Sequence, residues 1–362
     1  MSCIFFEKIN TKLKTNRSGL VIIVVLWIVV ILSVLATSIG RQNRLEISLT
    51  KHALDKVRSK YYAASGVHYA LELIRQDSDS EGSKAFDTQR FCGLPSELNG
   101  TLEEIFRRKT IGEGYFEITF KDFNNQETRW GLLDEERKIN INAIRSRDVD
   151  MIAALLSIFN VDQDLANEIG FAMTDWADEN NVPSHPDFGA EEEFYASQET
   201  AYYPKNKPFD AIEELRYLRG MTEEIFTEIK PYLTIYPKQG ALKINIDTAD
   251  ETVLKALAYS FTGQRTNTDR SDGDSLVEKI IQYRVGEDGV PQTDDDRPVE
   301  PQELGLNAKE NVIFMSMRRY QTQISNYFHV RSVGYTDDHK VRTTIEAVIA
   351  REQLSIVSWN VN

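Results

Sequence analysis

The densest group of potential metal-binding side chains lies in the middle of the chain: Asp175, Asp178, Asn180, Glu191, Glu192 and Glu193. Asp175 and Asp178 are three residues apart, so that they would share one face at the end of a helix. Neighbouring carboxylates raise each other's pKa unless a cation neutralises them, and oxygen donors on flexible loops are typical of Ca²⁺ sites. These residue types predict either a calcium site or a solvated acidic loop, and composition alone favours the loop.

The sequence around this cluster limits the kinds of site that it could form. Its spacing is not that of an EF-hand, and the chain has neither an HExxH motif nor a cysteine pair that would join His185 in a zinc site. Asp175 and Glu191 have the residue types of a hydrolase's general acid and base. However, no substrate-binding pattern, GxSxG motif or Gly-rich phosphate loop accompanies them. We therefore predict that the protein is not an enzyme.

A second acidic run follows further along the chain: Asp269, Asp272, Asp274, Glu287, Asp288, Asp294, Asp295 and Asp296. Gly and Thr residues are interleaved with these acids, which indicates an exposed loop. A second cation site is the alternative interpretation of this run.

The net charge of −14 also limits the possible partners. Such a surface repels nucleic acid and anionic lipid and suits cations or basic partners. The two cysteines are Cys3 and Cys92. If an N-terminal leader is removed, Cys92 alone remains and an intrachain disulfide is excluded. We predict that Cys92 is a buried small hydrophobe and not a reactive thiol.

The elements that position these groups are strands at both ends of the soluble region and helices between them. Residues 114–120 alternate apolar and polar side chains, as a half-buried strand does, and residues 129–132 are their expected partner, with Asn124-Asn125 as the turn. Near the C-terminus, apolar stretches occur at 314–317, 323–334 and 341–349; the last two predict an antiparallel hairpin with Asp337-Asp338 at its turn.

An internal repeat lies between these strands. The segment Lys138–Ala143 (KININA) recurs as Lys243–Ala249 (KINIDTA), and each copy is followed by an amphipathic helix, at 148–159 and 250–259. Two similar units imply a duplicated or pseudo-symmetric fold. Between the copies, residues 211–237 predict a helix, a turn with Gly220, and a second helix capped by Thr222.

This helical hairpin resembles the helix-hairpin-helix elements of DNA-binding proteins, in which backbone amides of the turn contact phosphate. A membrane protein that binds DNA for uptake is therefore an alternative function. The second helix opens with Glu223 and Glu224, however, and the region is acidic, which favours a packing role without nucleic acid. Tight binding to DNA in a gel-retardation assay at low salt would reverse this preference.

The N-terminal segment predicts a membrane anchor. Residues 20–39 are twenty residues without a charge, enough for a helix to cross the hydrocarbon core of a bilayer. Basic residues before them (Lys8, Lys12, Lys14 and Arg17) place the N-terminus in the cytoplasm and the rest of the chain in the periplasm of a diderm bacterium. A plain anchor and a secretory signal peptide cut near Ser38 are the alternatives.

Arg17-Ser18-Gly19-Leu20 places a glycine between the basic segment and the apolar run. This order resembles a prepilin leader, which a prepilin peptidase cuts after the glycine. The resemblance implies that the mature chain begins at a methylated Leu20. Most pilins and pseudopilins carry Glu at the fifth mature position, where this chain has Val24. The lack of that Glu is a mark of one family, the type II secretion minor pseudopilin K, whose members sit at a filament tip.

Three stretches extend the resemblance to this family over nearly the whole chain: the leader and apolar helix with Val24; the acidic segments around 175–178 and 189–191 with residues 202–209; and the hairpin leading to 243–249. The resemblance implies an α+β fold, with a pilin-like N-terminal transmembrane helix and antiparallel sheet and a large helical insertion. It also implies bound calcium and capping of the pseudopilus together with minor pseudopilins I and J. It reverses the preference at the acidic cluster, because Asp175, Asp178 and Glu191 match the family's acidic motif, with Asn180, Glu192 and Glu193 as weaker matches.

The expected organisation is a leader at 1–19, a transmembrane helix at 20–39, its continuation at 40–76, a first pilin-like part at 77–137, a helical insertion at 138–310 and a second pilin-like part at 311–362. The resemblance further implies contacts with the major pseudopilin and the prepilin peptidase. The expected location is the bacterial inner membrane, crossed once, with the C-terminal domain in the periplasm.

Overall fold

The computed structural model describes residues 17–79, 86–95, 98–121, 127–336 and 341–362. The chain divides into two compact units, with the division between Val57 and Arg58. The first helix, α1 (Arg17–Asp79), contributes residues to both units.

The first unit consists of the apolar part of α1 and its polar continuation. Its apolar side chains between Leu20 and Ile39 are exposed. Among the described residues, α1 is the one helix long and apolar enough to cross a membrane. The predicted span at 20–39 therefore lies in a continuous helix, and Gly19 and Leu20 lie in its first turns. Residues 1–16 of the predicted leader lie outside the described residues.

The second unit contains an antiparallel sheet. Its strands are β1 (Lys109–Ile111), β2 (Gly114–Lys121), β3 (Thr128–Trp130), β4 (Leu133–Asp134), β9 (Tyr327–Thr336), β10 (Arg342–Ala350) and β11 (Ser355–Val361). The main order is β1-β2-β9-β10-β11, with β3 paired to β2 and β4 to β9. The pairing of β2 with β9 joins strands from before and after the helical part. The predicted pilin-like α+β sheet, built from both sides of an insertion, is confirmed.

The C-terminal part of α1 packs against this sheet through one apolar stripe. Ala63, Val67, Ala70 and Ile74 are buried and share a core with β-strand residues such as Phe328. Their spacing of three and four residues places them on one helical face. The helix approaches β9 closely, because a Cβ atom on Gly334 would overlap the backbone of Ser59 and Ala63.

We expect that Gly334→Ala lowers the free energy of unfolding by about 1–3 kcal/mol, because the added methyl group forces the helix and strand apart. Denaturation monitored by tryptophan fluorescence would measure this effect. Gly40→Ala is the matched control: a Cβ atom there meets nothing within 4 Å, and alanine is favoured in helices. Equal stability of Gly334→Ala and the wild type would contradict the close approach.

The helical part lies between β4 and β9 in the sequence. After α2 (Leu102–Phe106), which packs with the sheet, its helices are α3 (Val149–Ile158), α4 (Gln163–Ala177), α5 (Glu192–Ala196), α6 (Glu223–Ile229), α7 (Glu251–Tyr259), α8 (Arg270–Arg284) and α9 (Ala308–Met317). Their buried side chains form a second hydrophobic core, separate from that of the sheet and α1.

The predicted repeat is a structural repeat. Ile139–Asn140 forms strand β5, which pairs in parallel with β6 (Leu233–Thr234), and Ile244–Asn245 forms β7, which pairs in parallel with β8 (Gln321–Thr322). In each copy the asparagine side chain accepts a hydrogen bond from the backbone N–H two residues later, at 3.0 Å. Each copy then leads to a helix, α3 or α7, as predicted.

The two copies differ at one buried position. In the first, Asn142 accepts from the Phe209 N–H and donates its amide to the carbonyls of Phe209 and Ile235. In the second, Asp247 accepts from the Val299 N–H at 2.8 Å, but its Oδ2 has no hydrogen-bond partner. Burial raises the pKa of Asp247 to about 7, so that its charged form destabilises the fold.

Because this pKa is raised from its ordinary value of 3.8, the stability that the neutral form contributes is lost as pH rises from about 4 through 7. We expect Asp247→Asn, which copies Asn142, to be about 1–3 kcal/mol more stable than the wild type at pH 8 and nearly equal at pH 4. Urea denaturation at the two pH values measures the difference. The reverse change, Asn142→Asp, should destabilise at pH 8, and a pH-independent effect of Asp247→Asn would contradict the argument.

Other sequence predictions have different outcomes. The apolar stretch 314–317 belongs to α9 and not to a strand, because Asn307 and Glu310 form a capping box that starts a helix. The buried residues of α9 join the core of the helical part, which therefore extends beyond 310 to Tyr320.

Strand β11 was not predicted. Cys92 is buried, as predicted, and burial raises its pKa. The predicted turns at 124–125 and 337–338 lie outside the described residues.

Candidate metal centre

Asp175 and Asp178 lie at the C-terminal end of α4, as their spacing predicts. Asp162 caps the start of this helix, and Asp178 ends it, donating its backbone N–H to the Thr174 carbonyl at 3.1 Å. The buried face of α4 includes Ile169 and Met173, so that the helix end is fixed by the core of the helical part. Asp175 is 0% exposed.

Asp175 also shapes the loop that follows α4. Its Oδ1 accepts the backbone N–H of Ser184 at 2.9 Å, and its Oδ2 accepts that of Ala190 at 2.7 Å. A Cβ atom on Gly189 would lie 2.7 Å from Asp175 Oδ2 and from the His185 carbonyl oxygen. The loop therefore passes close to the carboxylate and brings Glu191 back towards the helix end.

Three carboxylates meet at this point. Asp175, Asp178 and Glu191 each offer an oxygen atom, and these atoms all lie within 4.8 Å of one another. Glu191 is 4% exposed, yet neither Oε1 nor Oε2 has a hydrogen-bond partner. An unpaired buried charge is costly. Burial and the charges of Asp175 and Asp178 raise the pKa of Glu191 to about 7.

This donor set fits a hard divalent cation. The orphaned oxygens of Glu191 and the adjoining aspartates supply carboxylate ligands only, which are suited to Ca²⁺ or Mg²⁺, and a cation would offset the repulsion that raises the pKa values. Burial likewise raises the pKa of Asp175. Both Asp175 oxygens accept backbone N–H groups. This geometry suits a carboxylate that orders the loop and contributes negative charge to the site better than one that transfers protons in a hydrolase.

The remaining predicted ligands lie around this trio. The side-chain amide of Asn180 donates to Asp178 Oδ1 at 2.8 Å, and its Oδ1 accepts the Val182 N–H. Glu192 and Glu193 are exposed in the first turn of α5. Together with Glu191 they line an open cavity of about 690 Å³. The structure thus brings together three of the six predicted residues and places two others at the mouth of the site.

A family model described as "Type II secretion system (T2SS), protein K" matches residues 137–238, which include this centre. Type II secretion system protein K of Klebsiella pneumoniae is 24% identical over 261 residues, covering 69% of this chain and 72% of the relative. The protein of the same name from Pseudomonas aeruginosa is 23% identical over 261 residues, covering 70% of this chain and 72% of the relative. These matches assign residues 137–238 to the protein K family model, and about two thirds of the chain is similar to proteins of that name.

A solved structure agrees with this assignment at the level of the fold. The chain matches one in the GspK-GspI-GspJ complex of enterotoxigenic Escherichia coli with a TM-score of 0.61 and 19% identity, covering 86% of this chain and 99% of that chain. At this identity, the likeness shows that the two chains share a fold.

Two residues that support the acidic site were not predicted from sequence. Arg219 forms an ion pair with Glu168 and donates from Nη1 to the Gly189 carbonyl at 3.0 Å. Asn206 donates its backbone N–H to the Trp176 carbonyl and its side-chain amide to Asn181 Oδ1 at 2.6 Å. Both residues hold the loops around the trio. Nothing in their local sequence indicates these contacts, because they come from segments about 30 residues away.

His185 does not face the carboxylates as a ligand would. Its Nδ1 accepts the backbone N–H groups of Asp187 and Phe188, at 3.2 and 3.3 Å. Its ring stacks on Phe188 and packs against Phe171. His185 therefore orders the loop, in agreement with a site made of oxygen donors.

The helical hairpin at residues 211–237 disfavours phosphate binding. Its first element is a 3-10 helix at Ile212–Tyr217, and Thr222 caps α6, as predicted. Arg216 is paired with Glu223 by two hydrogen bonds of 2.7 Å. A phosphate at the start of α6 would meet Glu223 and Glu224, so that the DNA-binding alternative lacks support at this hairpin.

Most acids of the second run make local contacts. Asp269 and Asp272 form the capping box of α8, and Asp295 accepts the N–H groups of Glu287 and Asp288. Asp296 differs, because it is buried and its Oδ1 has no partner. Burial raises the pKa of Asp296 to about 7. Within the described ranges, however, Asp175, Asp178 and Glu191 are the one group of three acids with oxygens close enough to share a cation.

Proposed function

We propose that this chain is the minor pseudopilin at the tip of a type II pseudopilus, where it initiates and caps the filament that exports folded proteins across the outer membrane. The observation that carries this proposal is the likeness to a chain of a GspK-GspI-GspJ complex over 86% of this chain. The partners are accordingly minor pseudopilins I and J, and the major pseudopilin follows below them. The role is mechanical and not catalytic, in keeping with relatives named as secretion proteins.

The N-terminal helix supports this proposal. Residues 20–39 hold the subunit in the inner membrane before assembly, with the C-terminal domain in the periplasm. The prepilin peptidase cuts after Gly19, and the new amine of Leu20 is methylated. Val24 replaces the glutamate that pairs with the amine of a neighbouring subunit in related filaments. A subunit at the tip has no neighbour ahead of it and does not need that pair.

The helical part explains how growth beyond this subunit is blocked. It inserts about 190 residues between β4 and β9 of a pilin-like sheet, and this bulk supports the proposal that no further subunit is added above it. Calcium bound by Asp175, Asp178 and Glu191 would hold the end of α4 and the loop to α5 rigid. Filament growth from below then pushes the cap and the cargo towards the outer-membrane channel.

The test is the intact mass of the protein purified from membranes of a strain that carries its secretion genes. We expect a chain that begins at methylated Leu20 and co-purifies with one copy each of pseudopilins I and J. Gly19→Leu should keep its leader and lose both partners, because the leader blocks assembly. Gly40→Leu is the control, since Gly40 also lies in α1 with nothing within 4 Å of its Cβ position.

Two results would contradict the proposal. A wild-type chain that begins at Met1, or one cut near Ser38, would leave a plain anchor or a secreted domain. A chain processed at Leu20 that never associates with I or J would retain pilin-type processing but exclude the tip complex.

A further inference from the structure

A second cavity lies between the sheet and the helical part, away from the acidic trio. Its volume is about 480 Å³, within the range of about 300–1,000 Å³ that is usual for small-molecule sites. The apolar side chains that line it include Phe120 and Leu133 from the sheet and Ile281 from α8. Such a pocket with a few convergent polar groups is a candidate binding site.

Two arginines line this cavity. Arg284 is 5% exposed; its Nη1 donates to the Ile246 carbonyl at 3.0 Å, while its Nε has no partner. Arg137 is half-buried and has no ion pair or side-chain hydrogen bond to the described residues. The two guanidinium groups are close enough that Arg137, after burial, is the largest cause of the lowered pKa of Arg284, about 10.

The charges near Arg284 do not supply a direct counter-ion. Asp247, Asp250 and Asp296 act on it electrostatically, but none of them forms an ion pair with it within the described part of the chain. A buried cation without a contacting anion is costly. Lys121 and Arg129 also line the cavity, and so do the acids Asp134, Asp250 and Glu251. Four basic side chains thus face three acidic ones in a chain of net charge −14.

We infer that this cavity binds a small organic anion, in which a carboxylate or phosphate group is attached to a short apolar body. The guanidinium groups of Arg137 and Arg284 hold the anionic oxygens, because the planar fork of arginine matches both groups. Phe120, Leu133 and Ile281 contact the apolar body. The same chemistry is offered by a free organic acid and by the C-terminal residue of a peptide.

The experiment uses the full-length protein in detergent and isothermal titration with benzoate and phenyl phosphate, and with benzamide as the uncharged control. We expect saturable binding of at least one anion and none of benzamide. Arg137→Gln should weaken binding at least ten-fold, whereas Arg265→Gln, a change at an exposed arginine outside the cavity, should not. Val285→Trp fills the cavity from its wall and should abolish binding without removing a charge.

Equal binding of benzamide and benzoate, full affinity in Arg137→Gln, or no saturable binding of either anion at millimolar concentration would overturn the inference; a water-bridged pair of Arg284 with Asp247 would then account for the geometry. N-acetyl-phenylalanine and acetyl-Ala-Ala-Phe distinguish the sources. If the tripeptide binds at least as tightly, the ligand is a peptide C-terminus; if only small acids bind, it is a free anion. Neither result depends on the proposed tip function.

Discussion

Replacing Arg351 with methionine is expected to lower the free energy of unfolding by about 3–5 kcal/mol, because it removes the guanidinium group that contacts two buried carboxylates. Arg351 lies just after β10, and its Nη2 contacts Asp77 and Asp87 at 2.6 Å each. Its Nη1 reaches Asp87 at 2.9 Å. All three residues are buried, and together they join the end of α1, the segment 86–95 and the β10–β11 connection.

The loss in Arg351→Met is due to the stranded charges and not to the missing contacts alone. The triple variant Arg351→Met/Asp77→Asn/Asp87→Asn should therefore recover part of the stability. Asp87 also accepts the N–H groups of Gly93 and Ser325, so that full recovery is not expected. Urea denaturation followed by tryptophan fluorescence measures each variant. Arg265→Met, at an exposed position, should change stability by no more than about 0.5 kcal/mol.

A cost below about 1 kcal/mol for Arg351→Met would resemble that of an exposed ion pair. Such a result would mean that water reaches Asp77 and Asp87, which contradicts their burial. A triple variant no more stable than the single one would show instead that the arginine acts through packing, since its guanidinium also lies 4.7 Å from the centre of the Phe328 ring.

This cluster illustrates what the sequence does not reveal. Local patterns predicted the apolar helix, strands β2, β9 and β10, the repeat with α3 and α7, and the capped α6, because each has a signal within a few residues. Arg351 lies 274 residues from Asp77 and 264 from Asp87, and no local pattern indicates such a pairing. Helix α9 was missed at 314–317 because its signal, the Asn307–Glu310 capping box, lies outside that stretch.

The acidic cluster shows the same limit at the scale of a site. Glu191, Glu192 and Glu193 are equivalent by residue type, and the resemblance to the protein K family implied all three. Helix α5 begins at Glu192, so that Glu192 and Glu193 are in its exposed first turn, and Glu191, before it, is buried beside Asp175. The position of a helix boundary within one residue decides which acid joins the centre, and sequence patterns do not fix boundaries so closely.

The proposed calcium site leads to the second prediction with a large expected effect. If Asp175, Asp178 and Glu191 bind Ca²⁺, a free calcium concentration of 100 times the dissociation constant stabilises the wild type by about 2.7 kcal/mol. A concentration of 1,000 times the dissociation constant stabilises it by about 4.1 kcal/mol. We expect Glu191→Gln to lose most of this gain, because the change removes one charge and one ligand oxygen. Thermal unfolding of the full-length protein in detergent, with calcium and with EDTA, measures the difference. Glu192→Gln is the matched control, since it removes the same charge from an exposed neighbour.

The difference in stability between Glu191→Gln and the wild type should have opposite signs in EDTA and in calcium. In EDTA, Glu191→Gln is expected to be at least as stable as the wild type, because it removes a buried carboxylate whose oxygens have no partner and which the charges of Asp175 and Asp178 destabilise. With calcium it becomes the less stable protein, since the same repulsion is what the cation offsets. A purely structural role for Glu191 predicts the same loss in both conditions. If Glu191→Gln and Glu192→Gln both respond to calcium as the wild type does, the ion binds elsewhere and the trio is not a metal centre.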